Sequence, residues 1–144
     1  MGLIAHRDIY NDSSGKLYMR RWFLLPVGRD QEWPFSIKLH KICRSDADRD
    51  LHDHPWSFIS LILKGQYLEV LVDPQGDWPD RIVVPRGRFS ARWRSAKSLH
   101  QVLLPEGPVW TLVFTGPRRR VWGYRTDNGW IPWDQYHEEQ TWSQ

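Results

Sequence analysis

The 144-residue chain contains a single cysteine, Cys43, and no apolar run long enough to cross a membrane. One cysteine excludes an internal disulfide and a cysteine-rich zinc site, and it is compatible with a reducing compartment. The first residues, Met1 to Asp8, lack both the apolar stretch of a signal peptide and the Ser or Thr of a myristoylation signal. We therefore expect a soluble, cytoplasmic protein without a membrane partner.

An excess of charge of one sign is also missing, since 20 Lys and Arg stand against 17 Asp and Glu, a formal net charge of +3. This mildly basic balance favours anionic ligands without requiring nucleic acid. A chain of this length can bury a core without disulfides, so we expect one domain over residues 1–144. Ten tryptophans are many for this length. The simplest interpretation is that their rings fill a small barrel and cover its ends.

Helical periodicity is absent before residue 130, and the chain consists instead of short apolar or alternating segments separated by turns. We predict strands within residues 15–27, 35–43, 57–63, 66–72, 81–84, 89–94, 100–104, 109–115 and 120–125. A short helix is predicted from Asp134 to Trp142, with Asp134 as its N-cap. About nine short strands at roughly ten-residue spacing predict an all-β sandwich or barrel.

The most informative motif is His52-Asp53-His54. Residues i and i+2 of an extended strand project from the same face, so both imidazoles can bind one metal ion from one side. A third nitrogen from a neighbouring strand would leave the other coordination positions open to water, substrate or O2, which distinguishes a working metal site from a structural one. Asp50 shares the face of the histidines if the strand is regular, which makes it a candidate extra ligand. Asp53 faces the other way and is a candidate for supporting the site from outside.

A β-barrel pattern, the H-x-H pair and Gly65, eleven residues after His54, together resemble the first metal-binding motif of the cupin superfamily. The strings Arg44–Trp56 and Gly116–Gly123 are also similar to segments of small, mostly uncharacterised cupins of bacteria and phages. The resemblance covers about residues 35–125. It implies a cupin-like double-stranded β-helix, a jelly-roll barrel on which the N-terminal strand and the C-terminal segment pack.

The resemblance implies His100 as the third metal ligand, at the end of a region similar to the second cupin motif, P-x-G-x-x-H. Ser95 and Lys97 occupy the proline and glycine positions of that motif. Phe58 is a second departure, because it stands where the first motif has a glutamate and cannot ligate a metal. Three histidines without a carboxylate form a neutral ligand set, similar to that of the thiol dioxygenases among cupins. His40, on another strand, is a candidate extra ligand or pocket residue.

One divalent metal is the expected cofactor. Fe(II) is favoured by the resemblance, and Zn(II), Ni(II) and Mn(II) are the alternatives, since imidazole binds all of them.

A group of arginines offers positive charge near the expected site. Arg88, Arg92 and Arg94 share one face if their strand is regular. Arginines at the mouth of a barrel can bind a carboxylate or a phosphate bidentately. The alternative interpretation is a solvated outer face.

Three hypotheses on function remain open, because cupins include both enzymes and binding proteins. The first is a small-molecule metalloenzyme, similar to an Fe(II) dioxygenase, acting on an anionic substrate. The second is a non-catalytic module that binds a nucleotide, a sugar phosphate or, less favoured, nucleic acid. The third is a metal-free cupin similar to the epimerases and isomerases, with histidine as base and Tyr67 or Tyr124 as acid. The resemblance also suggests a homodimer.

Overall fold

The computed structural model describes residues 6–10, 15–25, 34–46 and 49–136. In this part of the chain twelve strands form: β1 (His6–Tyr10), β2 (Leu17–Leu25), β3 (Ser36–Ile42), β4 (Leu51–His52), β5 (Phe58–Lys64), β6 (Tyr67–Val72), β7 (Arg81–Arg86), β8 (Ala91–Arg94), β9 (His100–Leu103), β10 (Val109–Thr115), β11 (Gly123–Thr126) and β12 (Gly129–Pro132). One helical turn covers 133–136. The all-β prediction is confirmed, and the predicted helix beyond residue 136 lies outside the described residues.

The strands form two six-stranded sheets with the orders β1-β2-β3-β10-β5-β8 and β12-β11-β4-β9-β6-β7. All their pairings are antiparallel. From β3 to β11 the chain passes repeatedly from one sheet to the other, with the hairpin β6–β7 as the exception. Two antiparallel sheets connected in this way form a jelly-roll barrel. The predicted fold is therefore confirmed.

Local chemistry moves several strand boundaries away from their predicted positions. The predicted strand 89–94 starts only at Ala91, because Phe89 has a φ of 66°, outside the extended region. Strand β7 continues through Pro85 to Arg86, two residues beyond its predicted end. Proline is tolerated there because β7 lies at the edge of its sheet.

The first sheet buries polar side chains and leaves apolar ones partly exposed. On β3, Ser36, Lys38 and His40 are buried, whereas Ile37 and Leu39 on the opposite face are partly exposed. On β10 and β5 the buried positions are mixed, because polar residues (Thr111, Thr115 and Ser60) alternate with apolar ones (Val109, Val113, Phe58 and Ile62). The pattern of β3 is the reverse of the usual sheet, in which the apolar face is buried and the polar face is solvated. The interior of the barrel is consequently polar enough to hold charged groups.

Apolar packing inside the barrel is concentrated in two clusters. One contains Ile62, Tyr67, Val102 and Val109, with the partly buried Leu104 against it. The other contains Trp56, Phe58 and Val113. The second cluster also contacts the histidines described next, so it forms an apolar wall of the candidate site.

Candidate metal centre

Three histidines converge inside the barrel. The antiparallel register places His52 of β4 opposite His100 of β9, and His54 follows β4 in the chain. The ring centroids lie 5.1 Å apart for His52 and His54, 4.8 Å for His52 and His100, and 4.7 Å for His54 and His100. One nitrogen of each ring lies within 4.8 Å of the other two. The structure thus brings together the three residues that the sequence nominated, and these three rings could hold a metal ion.

The spacing of the nitrogens fits one ion. Two nitrogens bound to the same ion at about 2.0–2.1 Å lie roughly 3 Å apart. Nε2 of His54 and Nε2 of His100 are 3.2 Å apart. Nδ1 of His54 is buried and has no hydrogen-bond partner within the described part of the chain. No hydrogen bond at that atom therefore fixes the imidazole to another described group. The donor set is therefore compatible with a divalent ion that prefers imidazole.

The surroundings keep two of these histidines neutral. Burial lowers the pKa of His52 to about 4, although the Asp46 carboxylate, with its Oδ2 3.9 Å from Nδ1, acts to raise it. Burial, followed by the nearby His100 and His52, holds the pKa of His54 well below its usual value. A metal requires the neutral imidazole with a free lone pair. At neutral pH both rings are therefore in the form that binds metal.

Glu69 supports the third histidine. Its carboxylate is 1% exposed, and its Oε2 lies 2.9 Å from Nδ1 of His100. A carboxylate at this position accepts a hydrogen bond from Nδ1–H of the imidazole and leaves the Nε2 lone pair for a metal. Burial acts to raise the pKa of Glu69, but hydrogen bonds from His100 and Arg94 outweigh it and bring the pKa to about 2. Glu69 is therefore ionised and orients His100.

Two arginines compensate the buried charge of Glu69. Arg94 donates from Nη2 to Oε1 of the carboxylate. Arg86 is 2% exposed, and its Nη1 lies 4.0 Å from Oε2. Arg86 also donates to the Tyr67 hydroxyl at 2.5 Å and to the Ser60 carbonyl at 3.2 Å. Because Ser60 belongs to the first sheet and Glu69 to the second, this network ties the two sheets together behind His100.

Aromatic rings surround the histidines. Phe58 stands in the position of the missing cupin glutamate. Its ring centroid lies 4.5 Å from that of His54 and 6.0 Å from that of His100. Trp56 stacks on His54 at 5.6 Å. Tyr124 meets His52 edge-on at 6.1 Å. The carboxylate ligand position of the cupin motif is thus occupied by an apolar ring that excludes water from one side of His54.

The three other candidate ligands have partners elsewhere. Asp50 accepts a hydrogen bond from the Tyr136 hydroxyl at 3.1 Å. His40 accepts one on Nε2 from Nε of Arg21 at 3.0 Å. Asp53 accepts from the backbone N–H of Gly123, from Nε1 of Trp130 and from Arg120. Within the described ranges, the cluster of potential ligand atoms contains His52, His54 and His100 but none of these three side chains.

Asp53 provides a test that separates folding from ligation. Its carboxylate is 3% exposed and connects β4 to the β11–β12 hairpin. We expect Asp53→Asn to lower the free energy of unfolding by about 1–2 kcal/mol, since one charged hydrogen-bond acceptor is weakened. Urea denaturation measures this loss, and metal titration should give an unchanged stoichiometry. Loss of metal with unchanged stability would instead place Asp53 among the ligands.

The candidate substrate residues lie in different environments. Arg88 precedes β8 and donates to the Leu63 carbonyl, and Arg92 donates to the carbonyl of its neighbour Ala91; both arginines are exposed. Arg94 is partly buried and contacts Glu69. The Tyr67 hydroxyl accepts from Arg86, and burial raises the pKa of Tyr67. Tyr124 is buried and stacks on Tyr136 at 3.8 Å.

Reasoning from the sequence did not nominate Glu69. The residue stands in the apolar strand β6, between Leu68 and Val70. A lone acid in such a strand is a signal, because an ionised group is buried only when it is paired or hydrogen-bonded. Its partner His100 lies 31 residues away in the chain, and no local pattern connects the two.

Comparison with known proteins gives structural matches only. No protein-family model matches the chain, and no curated protein sequence does. A cupin-2 domain protein from Rhodospirillum rubrum is 14% identical, with a TM-score of 0.63 over 88% of this chain and 78% of that chain. The crystal structure of Fe(II) HppE is 9% identical, with a TM-score of 0.58 over 78% of this chain and 56% of that chain. Oxalate decarboxylase from Bacillus subtilis is 11% identical, with a TM-score of 0.58 over 93% of this chain and 31% of that chain.

These matches bear on the architecture. The chain spans about half the length of HppE and a third of that of oxalate decarboxylase, and identities of this size carry the fold alone. In the described part of the chain, no helix has the length and apolar character to cross a membrane. The order of the strands, the two facing sheets and the solved structures agree: this chain has the cupin fold.

Proposed function

We propose that this protein is a metalloenzyme that acts on a small anionic molecule and binds one divalent ion through His52, His54 and His100. The convergence of the three ligand nitrogens to within 4.8 Å carries the proposal. Three protein ligands leave coordination positions for substrate, which is the arrangement of catalytic rather than structural sites. The ionised Glu69 behind His100 is the support that metal-binding histidines usually have.

Fe(II) is the metal we favour, and the same nitrogens would also accept Zn(II), Ni(II) or Mn(II). The similarity to a structure of Fe(II) HppE supports iron. When bound, the ion would supply Lewis-acid activation and hold substrate and O2 close together. We therefore propose a dioxygenase-like reaction as the subclass.

The residues of the chain would recognise and orient the substrate. The positive charge of Arg21 acts on His54 and favours an anion near it, whereas that of Arg120 is compensated by Asp53. Phe58 and Trp56 keep water away from one side of His54. An anionic substrate is also supported by oxalate decarboxylase, whose name states that it acts on a dicarboxylate. Of the three predicted arginines, Arg94 is the one whose guanidinium contacts Glu69, and we propose that it acts by positioning Glu69.

An oxygen electrode tests the reaction. We expect Fe(II)-loaded protein to consume O2 in the presence of one compound from a panel of thiol acids, keto acids, dicarboxylates and nucleotides. The uptake should disappear with Zn(II) in place of Fe(II) and in His100→Ala, and it should persist in His6→Ala, whose ring lies on the exposed end of β1. Stoichiometric metal without O2 uptake would contradict the dioxygenase-like reaction. Anion binding that survives complete removal of the metal would support the binding-module hypothesis instead.

We also propose that the protein is a homodimer. The exposed apolar residues on the strands of the first sheet support a dimer, and this proposal is independent of the metal centre.

A further inference from the structure

We infer that the outer face of the first sheet is the surface through which two copies of this chain associate. The inference depends on the homodimer proposal and not on the metal centre. The relevant surface, called the apolar face below, consists of two adjacent rows of residues. Leu25, Ile37, Phe114, Ile59 and Trp93 form the first row, and Trp22, Leu39, Leu112, Leu61 and Ala91 form the second.

The pairing register makes both rows continuous across five strands, from β2 through β3, β10 and β5 to β8. In the first row Ile37 pairs with Leu25 on one side and with Phe114 on the other. Ile59 continues the row from Phe114 to Trp93. The side chains of directly opposed residues on neighbouring strands are close enough to contact each other. The rows are therefore unbroken apolar stripes and not scattered side chains.

The apolar face is open to solvent in the single chain. Trp93 is 63% exposed, Leu25 46%, Ile59 43% and Phe114 37%. None of the ten residues is buried. Single exposed apolar residues are common on proteins, but a contiguous patch of this kind marks an interaction site.

The burial pattern of the strands explains why this face is apolar at all. Position by position, β3 places Lys38 and His40 inside the barrel and Ile37 and Leu39 outside. A strand that met only water on its outer face would carry polar residues there. The polar interior serves the candidate site, whereas nothing in that site requires an apolar exterior. Contact with another apolar surface accounts for it.

The size of the apolar face matches a dissociable dimer. Five strands at about 4.8 Å spacing and two rows at about 6.6 Å spacing cover roughly 310 Å², and the next outward row, which has members on four strands, raises this to about 440 Å². Two copies would then bury about 900 Å², just below the roughly 1,000 Å² of a stable specific interface and within the range of weak, transient ones. Such an area is typical of a dimer that dissociates, not of an obligate one.

Charge selects how the two copies would face each other. The third outward row holds Lys41 and Lys64 beside Trp110, together with Arg20, whose charge is compensated by Asp8 of β1, all at one end of the apolar face. A two-fold axis that runs parallel to the rows and between them places the first row of each copy on the second row of its partner. The two basic rows then lie at opposite ends, about 20 Å apart, which exceeds the Debye length of about 8 Å. An axis along the strands would instead stack the basic rows on each other, so the first arrangement is the one we propose.

Sedimentation of the full chain tests the inference. We expect the wild-type protein to change from monomer to dimer between about 1 and 100 µM, with or without chelator. Phe114→Arg, at the centre of the first row, should weaken the dimer at least about tenfold, because it buries unpaired charge in the interface. Val83→Arg is the matched control, since Val83 is 55% exposed on β7 of the other sheet. It should leave the dimer unchanged.

The possible outcomes separate the proposals. If Phe114→Arg does not fold by circular dichroism, Trp93→Arg on the edge strand β8 replaces it, with the same expectation. A dimer that survives the substitution overturns the assignment of this face while leaving the homodimer intact. A wild-type monomer at the highest concentration overturns both, and binding of that monomer to phosphatidylcholine–phosphatidylserine vesicles through Phe114 would assign the face to lipid. Metal stoichiometry should be the same in Phe114→Arg and the wild type.

Discussion

His52→Ala is expected to weaken the binding of a divalent metal by more than about 100-fold. The substitution removes one of three nitrogens that lie within 4.8 Å of each other, and the described residues nearby offer no carboxylate in that cluster to replace it. Loss of a residue that merely supports a ligand already costs about 10–100-fold in metal affinity, so loss of the ligand itself should cost more. Competition titration with a chromophoric chelator, using Fe(II) under anaerobic conditions and Zn(II) in air, measures the change.

Two substitutions control for effects that do not come from ligation. His6→Ala removes an exposed histidine on β1 and should leave the affinity unchanged. His40→Gln removes a buried histidine that is bonded to Arg21. It should alter stability more than metal affinity. If His52→Ala binds metal as tightly as the wild type, His52 is not a ligand and the proposed centre is wrong.

Glu69→Gln should reduce both stability and metal affinity. In protein made metal-free with a chelator, we expect the free energy of unfolding to fall by about 3 kcal/mol. The substitution removes one partner of a buried ion pair and leaves Arg94 beside an amide. The metal affinity should fall by about 10–100-fold, since a neutral amide holds the His100 imidazole less firmly and makes it a weaker donor. Urea denaturation gives the first quantity and competition titration gives the second.

The control for this substitution is Glu106→Gln, which removes an exposed acid in a turn and should change stability by less than about 0.5 kcal/mol. If Glu69→Gln is less stable but binds metal as tightly as the wild type, Glu69 stabilises the fold and does not support the metal ligand. Unchanged values of both quantities would contradict the whole network around it.

Part of the candidate site could be predicted from short segments of the sequence. His52 and His54 are two residues apart, and alternation along an extended chain is enough to place them on one face. His100 was proposed from the resemblance of its surroundings to the end of a cupin motif, and the register places it opposite His52. Phe58 could likewise be recognised as a departure, and its ring packs on His54 where the motif has a carboxylate.

The network behind the site could not be predicted in this way. Glu69, Arg86 and Arg94 lie on three strands, and Arg94 is 25 residues from Glu69. Arg88, Arg92 and Arg94 were expected to share one face. Arg88, however, lies before β8, and the positive φ of Phe89 interrupts the extended chain between Arg88 and the strand. Two strands, β1 and β12, were also missed, and β4 is shorter than the extended strand assumed for the histidine pair. β4 has two residues, and pairing with β9 and β11, rather than its own composition, makes it a strand.

The sequence by itself determined the fold class and the histidine pair, because side-chain alternation and turn residues act over a few neighbouring positions. It also divided β3 into a polar face, with Lys38 and His40, and an apolar face, with Ile37 and Leu39. Only the tertiary structure decided which face points inward, since that choice depends on what the opposite sheet presents. The second sheet presents three histidines and the Glu69–Arg86 network. A polar interior is therefore compensated by partners distant in the chain, and the apolar face is left on the outside.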